Sequence, residues 1–267
     1  MIYRDFQRMV AVNRARLYRD MPWRDDTRPY YVLVSEIMLQ QTQVARVIPK
    51  FNKFIARFPD EESLARATLA DVLVEWQGLG YNRRAKYLHD SAKMIVGTIT
   101  GVFPRTAADL QKLPGVGKNT AAAIMAYAFN QPEIFIETNI RTVYIHYFFH
   151  DQTDITDKQI TALLEQTIDT KNPRQFYQNL MDYGAWLKAN GTQNIAKSRH
   201  YKKQSKFAGS IRQLRGRILR ELAAGSKSMK NLNTLLENDE RLSVTLSQLE
   251  REGLITTIGQ QLSLTEN

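Results

Sequence analysis

The sequence contains no cysteine, which removes disulfides, thiolate metal sites and cysteine nucleophiles from consideration. Histidine is nearly as scarce: His89, His146, His150 and His200 show no metal-ligand spacing. No cluster of carboxylates suggests a cation site either, so no resident metal is expected. Apolar runs fall far short of a membrane span. The N-terminal stretch is charged throughout and lacks the apolar centre and cleavage site of a signal peptide. An intracellular, cytoplasmic protein with no membrane partner is the expectation.

What is present suits a folded chain with a substantial core: 267 residues, 43% hydrophobic and 24% charged. The net charge of +10 is concentrated. Between Lys188 and Arg220 stand ten Lys or Arg and no Asp or Glu, which leaves 27 basic residues elsewhere against 27 acidic ones. Such asymmetry points to a polyanion partner; a solvated linker is the alternative for a charge run taken alone.

Helical periodicity runs through Ile2–Arg19, Tyr31–Gln41, Val44–Phe58, Glu62–Ala67, Leu69–Gln77, Arg83–Ile99, Thr138–His150, Thr156–Thr170 and Arg174–Lys188, with short connections and no βαβ alternation. The prediction is an all-α array. Lys188–Gly209 breaks the pattern as a basic loop. Beyond it Ile211–Ala224, Met229–Glu237 and Arg241–Arg251 predict three helices, followed by short strands Leu254–Thr257 and Gln261–Leu264. Three helices closed by a hairpin describe a winged-helix module, used on DNA or, in other settings, on proteins.

The chain is organised around Leu113–Arg141. Thr106–Lys112 predicts a short helix with Thr106 as N-cap and Asp109 three residues on. The turn Leu113-Pro114-Gly115-Val116-Gly117 follows, then an Ala-rich helix over Thr120–Phe129. Two glycines permit a tight turn close to a partner, and the amides of the second helix start attract an anion. A Walker loop fails, because Lys118 is followed by Asn119 and the position five before Gly117 is Lys112. A plain helix–turn–helix corner without a ligand is the other reading.

Two carboxylates stand out. Glu36 lies among Val32, Leu33, Val34, Ile37, Met38 and Leu39, with Gln40 and Gln43 at helical spacing. Burial there should raise its pKa from about 4.3 toward the range of a general acid, about 6–7. A structural hydrogen bond at the core rim is the alternative. Glu137 ends the apolar run Ile134-Phe135-Ile136, before Thr138-Asn139, which could cap a helix starting near Ile140. A carboxylate at a helix start can serve the dipole alone.

Residues about 20–190 resemble the helix-hairpin-helix DNA glycosylases, specifically adenine-DNA glycosylases of the MutY type. The resemblance rests on Pro22-Trp23-Arg24, Pro29-Tyr30, Ser35–Val44 (SEIMLQQTQV), Ile48-Pro49, Gly78-Leu79-Gly80-Tyr81, Leu113–Gly117, Asn139 and Asp182-Tyr183-Gly184-Ala185. It implies a two-lobed helical glycosylase domain over 1–190: a six-helix lobe at about 21–110 and a second lobe from 1–20 plus 111–190. The basic loop 191–209 and a winged-helix-like domain over 210–267 follow. The implied partner is duplex DNA with a mispaired or damaged base, bound by a nucleoid-associated monomer across the cleft between lobes, with the target nucleotide extruded.

By matching position, the resemblance makes Glu36 the acid that protonates the leaving adenine, with Glu137 and Asn139 completing the catalytic set. Trp23, Arg24, Leu39, Gln178 and Asn119 would line the base pocket. Gln41 and Tyr81 would wedge into the stack, while Gly115, Gly117, Lys118 and Thr120 would hold a phosphate. A monovalent cation could sit on the hairpin carbonyls. Lys197, Arg199, Lys202 and Lys203 would meet the DNA backbone.

Four departures from the family pattern follow. Glu137 stands where the family has Asp, and one extra methylene can move a carboxylate by about 1 Å, a misplacement that can cost about 100-fold. The family's four cluster cysteines project onto Lys188, Ile195, Ser198 and Gln204, so no iron–sulfur cluster is expected. Asn119 replaces the Schiff-base lysine of endonuclease III relatives and the Tyr of thymine-removing ones, which implies a monofunctional enzyme. The family's domain for reading 8-oxoguanine has no counterpart in the sequence, and the winged-helix-like module stands in its place. The expectation is excision of adenine opposite 8-oxoguanine or guanine. Altered specificity for thymine, uracil or a damaged purine is the enzyme alternative, and lesion binding without catalysis the non-enzyme one.

Overall fold

A computed structural model describes residues 2–98, 102–192, 194–201 and 204–266. These residues form a mostly helical fold in two compact units. The first comprises 1–36, 105–112 and 116–203, and the second 37–104, 113–115 and 204–267.

The first unit begins with α1 (Ile2–Val12) and α2 (Arg14–Leu17). One helix over Ile2–Arg19 was expected. Asn13 interrupts it, its side-chain amide donating to the Met9 carbonyl at 2.9 Å, so a side chain competes with the helical ladder. Then come α3 (Pro22–Asp25), with Pro22 at the first turn, and α4 (Pro29–Leu39), whose residues through Glu36 belong to this unit.

The second unit holds α5 (Val44–Arg57), α6 (Glu61–Arg66), α7 (Leu69–Glu75) and α8 (Arg83–Thr98). Ile99, expected to end α8, lies outside the described residues. Asp60 and Ser63 form a capping box at the start of α6, and the Thr68 hydroxyl caps α7. Trp76 is fully buried on Phe54 and lends its indole N–H to the Gly80 carbonyl at 3.2 Å.

Returning to the first unit, α9 (Ala107–Leu110) is capped as expected, the Thr106 hydroxyl accepting from the Asp109 amide at 3.1 Å. Around it run α10 (Lys118–Phe129), α11 (Thr138–Phe148), α12 (Asp157–Thr167) and α13 (Pro173–Ala189). α10 is short-sided, with Ala121, Ala122, Ala123 and Ala126 buried, and ends on left-handed Asn130. Its small face admits Phe135, Tyr144 and Tyr177 into one core with Phe6 and Val10 of α1. α11 packs on α13 closely enough that a Cβ on Gly184 would sit 2.4 Å from the Asn139 carbonyl oxygen, so only glycine fits there.

Part of the expected basic loop takes regular structure. Asn194–Lys197 form a 3-10 turn, and Ile155 and Ser198 pair in a parallel bridge, with the Ile155 amide donating to Lys197 O at 2.9 Å. In the second unit, α14 (Ile211–Ala223), α15 (Met229–Leu235) and α16 (Leu242–Arg251) precede β2 (Ile255–Ile258) and β3 (Gln261–Leu264). A strand too short to read from sequence, β1 (Lys227–Ser228), completes an antiparallel sheet of order β1-β3-β2, with Ile255 opposite Leu264 and Ile258 opposite Gln261. The result is a small winged-helix-like module. It packs α14 and β3 on α7, and Leu69 N–H donates to the Glu266 carbonyl at 3.4 Å.

Candidate active site

Glu36 sits on the largely apolar α4 and is 8% exposed. Burial pushes its carboxyl well above the ordinary value, and the negative charge of Glu137 adds to the shift. Glu137 precedes α11 at the N-cap position, in extended conformation, yet its side chain caps no helix amide. The alternative cap at Thr138-Asn139 is not what forms: the helix already begins at Thr138. The Glu137 carboxylate is thereby left for other work. Burial raises its pKa too, while Lys188 on α13 opposes that rise. Of the two carboxyls Glu36 is raised the more, because burial and Glu137 act together on it while Lys188 opposes burial at Glu137.

Two groups escaped the sequence reading. Tyr127 of α10 feels both carboxylates, and burial, Glu137 and Glu36 together raise its pKa well above the ordinary value. Its ring packs edge-on against Phe135, 5.8 Å between centroids. Lys188 has its own pKa lowered by burial and by Arg19, and raised by Glu137. It stands one helical turn beyond Gly184, the residue that brings α13 against the start of α11. A glycine followed four residues later by lysine was the available signal.

The structure gives the expected pocket residues unequal surroundings. Arg24 is bound to Asp182, at 2.8 and 2.9 Å, with both side chains almost fully buried, and Arg19 reaches the same carboxylate at 2.6 Å. Its guanidinium thus joins α3 to α13. Trp23 is buried beside it, and Gln178 is half-buried. The Asn119 side chain donates to the Ile136 carbonyl at 3.2 Å, fixing the backbone just ahead of Glu137. Asn139 has a buried Oδ1 without a hydrogen-bond partner, an atom a ligand or water could satisfy. Leu39 falls in the second unit, half-buried.

Gln41 and Tyr81 share an unusual backbone, with φ of 58° and 47°. Non-glycine residues held there cost about 1–3 kcal/mol each and cluster at functional sites. Arg84 supports them from below, donating to the carbonyls of Ile37 (2.6 Å), Met38 (2.8 Å), Leu79 (3.3 Å) and Gly80 (3.0 Å). Burial pulls its pKa down to about 10. In the hairpin, Gly115 has φ 77° and a Cβ there would meet Tyr87 at 2.9 Å, whereas Gly117 is an ordinary N-cap facing open space. Only the first glycine is demanded by conformation. Lys118 is exposed and Thr120 half-buried in the first turn of α10. Lys197 donates to the His150 carbonyl at 2.6 Å, and Arg199 is ion-paired with Asp154. Lys202 and Lys203 lie outside the described residues.

No group of three or more His, Asp or Glu able to hold a metal occurs among the described residues, and none of their helices is long and apolar enough to cross a membrane. The four positions matching the family's cluster ligands do not fit iron. Lys188 carries an ammonium rather than a thiolate, Ile195 has no donor atom, Ser198 sits in the bridge to Ile155, and Gln204 donates to the Tyr81 hydroxyl at 2.5 Å.

The family profile "HhH-GPD superfamily base excision DNA repair protein" matches residues 34–170. The "Adenine DNA glycosylase" of Buchnera aphidicola subsp. Baizongia pistaciae is 41% identical over 183 residues, which cover 66% of this chain and 51% of that protein. This chain spans about half the length of the first curated relatives it matches. Among solved structures, a thermostable thymine-DNA glycosylase superposes with TM-score 0.64 and 25% identity, covering 72% of this chain and 93% of that one. A non-covalent endonuclease III–DNA complex gives TM-score 0.60 at 20% identity, covering 71% and 88%, and so shares the fold.

Proposed function

The chain belongs to the HhH-GPD superfamily of base excision DNA repair proteins, and from that footing we propose that it hydrolyses the N-glycosidic bond of adenine mispaired with 8-oxoguanine or guanine in duplex DNA. The observation that carries this reading is the unequal carboxylate pair. Glu36 is buried and raised further by Glu137, whereas Glu137 is half-buried and the charge of Lys188 opposes its rise. Glu36 therefore holds its proton to higher pH than Glu137 does.

Glu36 donates its proton to a ring nitrogen of the extruded adenine, and the bond from base to C1′ breaks with its electron pair leaving on the base. The Glu137 carboxylate faces the cationic sugar, where fixed negative charge stabilises it. Water then adds to C1′ and returns a proton to Glu36, leaving free adenine and an abasic site. Asn119 and Lys188 position Glu137. Gln41 and Tyr81 fill the stack, and the hairpin with Lys118 and Thr120 holds a phosphate. The enzyme is a monofunctional glycosylase without an iron–sulfur cluster, built from a glycosylase domain over 1–190 and a C-terminal module over 210–267.

Single-turnover excision on duplexes carrying adenine opposite 8-oxoguanine, guanine or thymine, with alkali added afterwards, tests this. Adenine released opposite either guanine, with strands cut only after alkali, is the expected result; no release from any duplex sinks the proposal. A second reading, thymine excision, is favoured by the likeness to the thymine-DNA glycosylase. The same assay on thymine opposite guanine separates the two.

A further inference from the structure

In the first unit, the 3-10 turn Asn194–Lys197 is fastened at both ends to the end of α11. His146, in the last turn of that helix, accepts a hydrogen bond at Nδ1 from the Asn194 side-chain amide, 3.1 Å away. Four residues on, the His150 carbonyl accepts from the Lys197 ammonium at 2.6 Å. Backbone pairing follows directly after the turn. The Ile155 amide donates to the Lys197 carbonyl at 2.9 Å, and the Arg199 amide donates to the Ile155 carbonyl at 3.0 Å, which makes the parallel bridge. So short a ladder holds little by itself, since even a two-stranded hairpin is marginal in water. The side-chain contacts of the turn are what it leans on.

One of these contacts can be removed by a proton. Nδ1 accepts only while it is unprotonated, with the ring hydrogen on Nε2. Protonation turns Nδ1 into a donor facing the donor of Asn194. It also sets an imidazolium near Lys197 of the turn and His150 of its own helix, and both charges favour the neutral ring. Burial of the half-buried ring acts first and in the same direction, so the pKa of His146 lies below its ordinary value. The acids of the adjoining turn are taken, Asp151 by His150 and Asp154 by Arg199. Among the described residues, α12 and α13, which also pack on α11, bring no charge to bear on the ring. A released histidine titrates near pH 6.5, so the fastened state is complete above that pH. It weakens as pH falls below, because the released state then binds more protons.

We propose that His146 and Asn194 form an acid-released clasp on the segment Asn194–Arg199, which holds Lys197 on a backbone carbonyl while the ring is neutral. His146 is a positioning residue, remote in role from the excision chemistry. The clasp operates whichever base the protein removes.

Amide hydrogen exchange on the full chain at pH 7.5 and 5.5, expressed as protection over the intrinsic rate, tests this. In the wild type the Ile155 and Arg199 amides should lose protection several-fold at the lower pH. About tenfold is the ceiling for one proton on a group of pKa about 6.5. The Ile168 amide, bonded to the Leu164 carbonyl at 2.9 Å elsewhere in the unit, should keep its protection. His146→Asn sets a carboxamide oxygen where Nδ1 stands and cannot titrate, so its Ile155 and Arg199 amides should stay protected at pH 5.5. His200→Asn, in the same stretch, should leave the wild-type loss in place, and Asn194→Ala should lower protection already at pH 7.5. Equal protection of the wild type at both pH values overturns the clasp, as does a loss that persists in His146→Asn. A parallel loss at Ile168 marks general loosening and overturns it too. Should His146→Asn not fold, the ring titration of His146 by NMR in the wild type decides. Protection lost together with ring protonation supports the clasp, and protection lost at a pH where the ring is still neutral overturns it.

Discussion

The two units handle charge in opposite ways. In the first, carboxylates are buried where their charge is costly, and a proton, Lys188 and Tyr127 share the burden. In the second, guanidinium groups that stay charged at neutral pH are met by carbonyls, a phenol and Glu252. A group that must pass a proton needs an environment that brings its pKa near the working pH. A group that must grip a ligand needs a charge that pH does not switch. Under the proposed function, the contrast separates groups that pass a proton from groups that keep a fixed charge.

Removing the acid tests that contrast hardest. Glu36→Gln should lower single-turnover excision by about 10²–10⁴. It should also stabilise the fold, because the pKa of Glu36 is raised on folding. The stability tied to its proton is complete below about pH 4.3 and lost as pH rises through the folded value. Gln escapes that loss, so the variant should melt above the wild type at pH 8 and beside it near pH 4. A lower melting point at pH 8 would break the comparison. Asp182→Asn is the counterpart in which no proton is meant to move. It strands buried Arg24 and should cost about 3–5 kcal/mol in urea unfolding.

Smaller effects sharpen the picture. Excision should follow a bell in pH, falling on the acid side as Glu137 takes a proton and on the alkaline side as Glu36 loses one. Lys188→Met removes the cation that holds the Glu137 pKa down, so the acid limb should move to higher pH while the alkaline limb stays. Raising salt from 50 to 200 mM should weaken duplex affinity at least about tenfold, with little change in the rate constant at saturating protein. The hairpin gives the finest distinction. Gly115→Ala should cost about 1–3 kcal/mol, and Gly117→Ala within about 0.5 kcal/mol, by thermal melting.

Local chemistry was legible in the sequence and long-range placement was not. The Thr106 cap, the Ala-rich α10 and the burial of Glu36 follow from neighbours within a few residues, and each is found in the structure. The meeting of Glu36 with Glu137 joins residues about a hundred apart, and periodicity carries no such information. Tyr127 looked like one more residue of a small-sided helix, and Lys188 like one more member of a charge run. Asn13 breaks a helix through a single side-chain bond that amphipathic spacing conceals. Strand β1, two residues long, exists because β3 offers it an edge. The division between units after Glu36 falls inside a continuous helix and leaves no trace in composition.

The pairing within the basic stretch has a further consequence. Arg199, Arg215 and Arg217 are paired with Asp154, Glu252 and Glu237, acids drawn from outside the run, and Lys197 is turned onto a backbone carbonyl. Charge counted along the chain therefore exceeds the charge offered outward. Under the proposed function, this lowers the grip on undamaged duplex and shortens each visit. Scanning is quickened, and the time spent at any one position is left to short-range fit. The acids at 154, 237 and 252 work as a brake on indiscriminate adhesion.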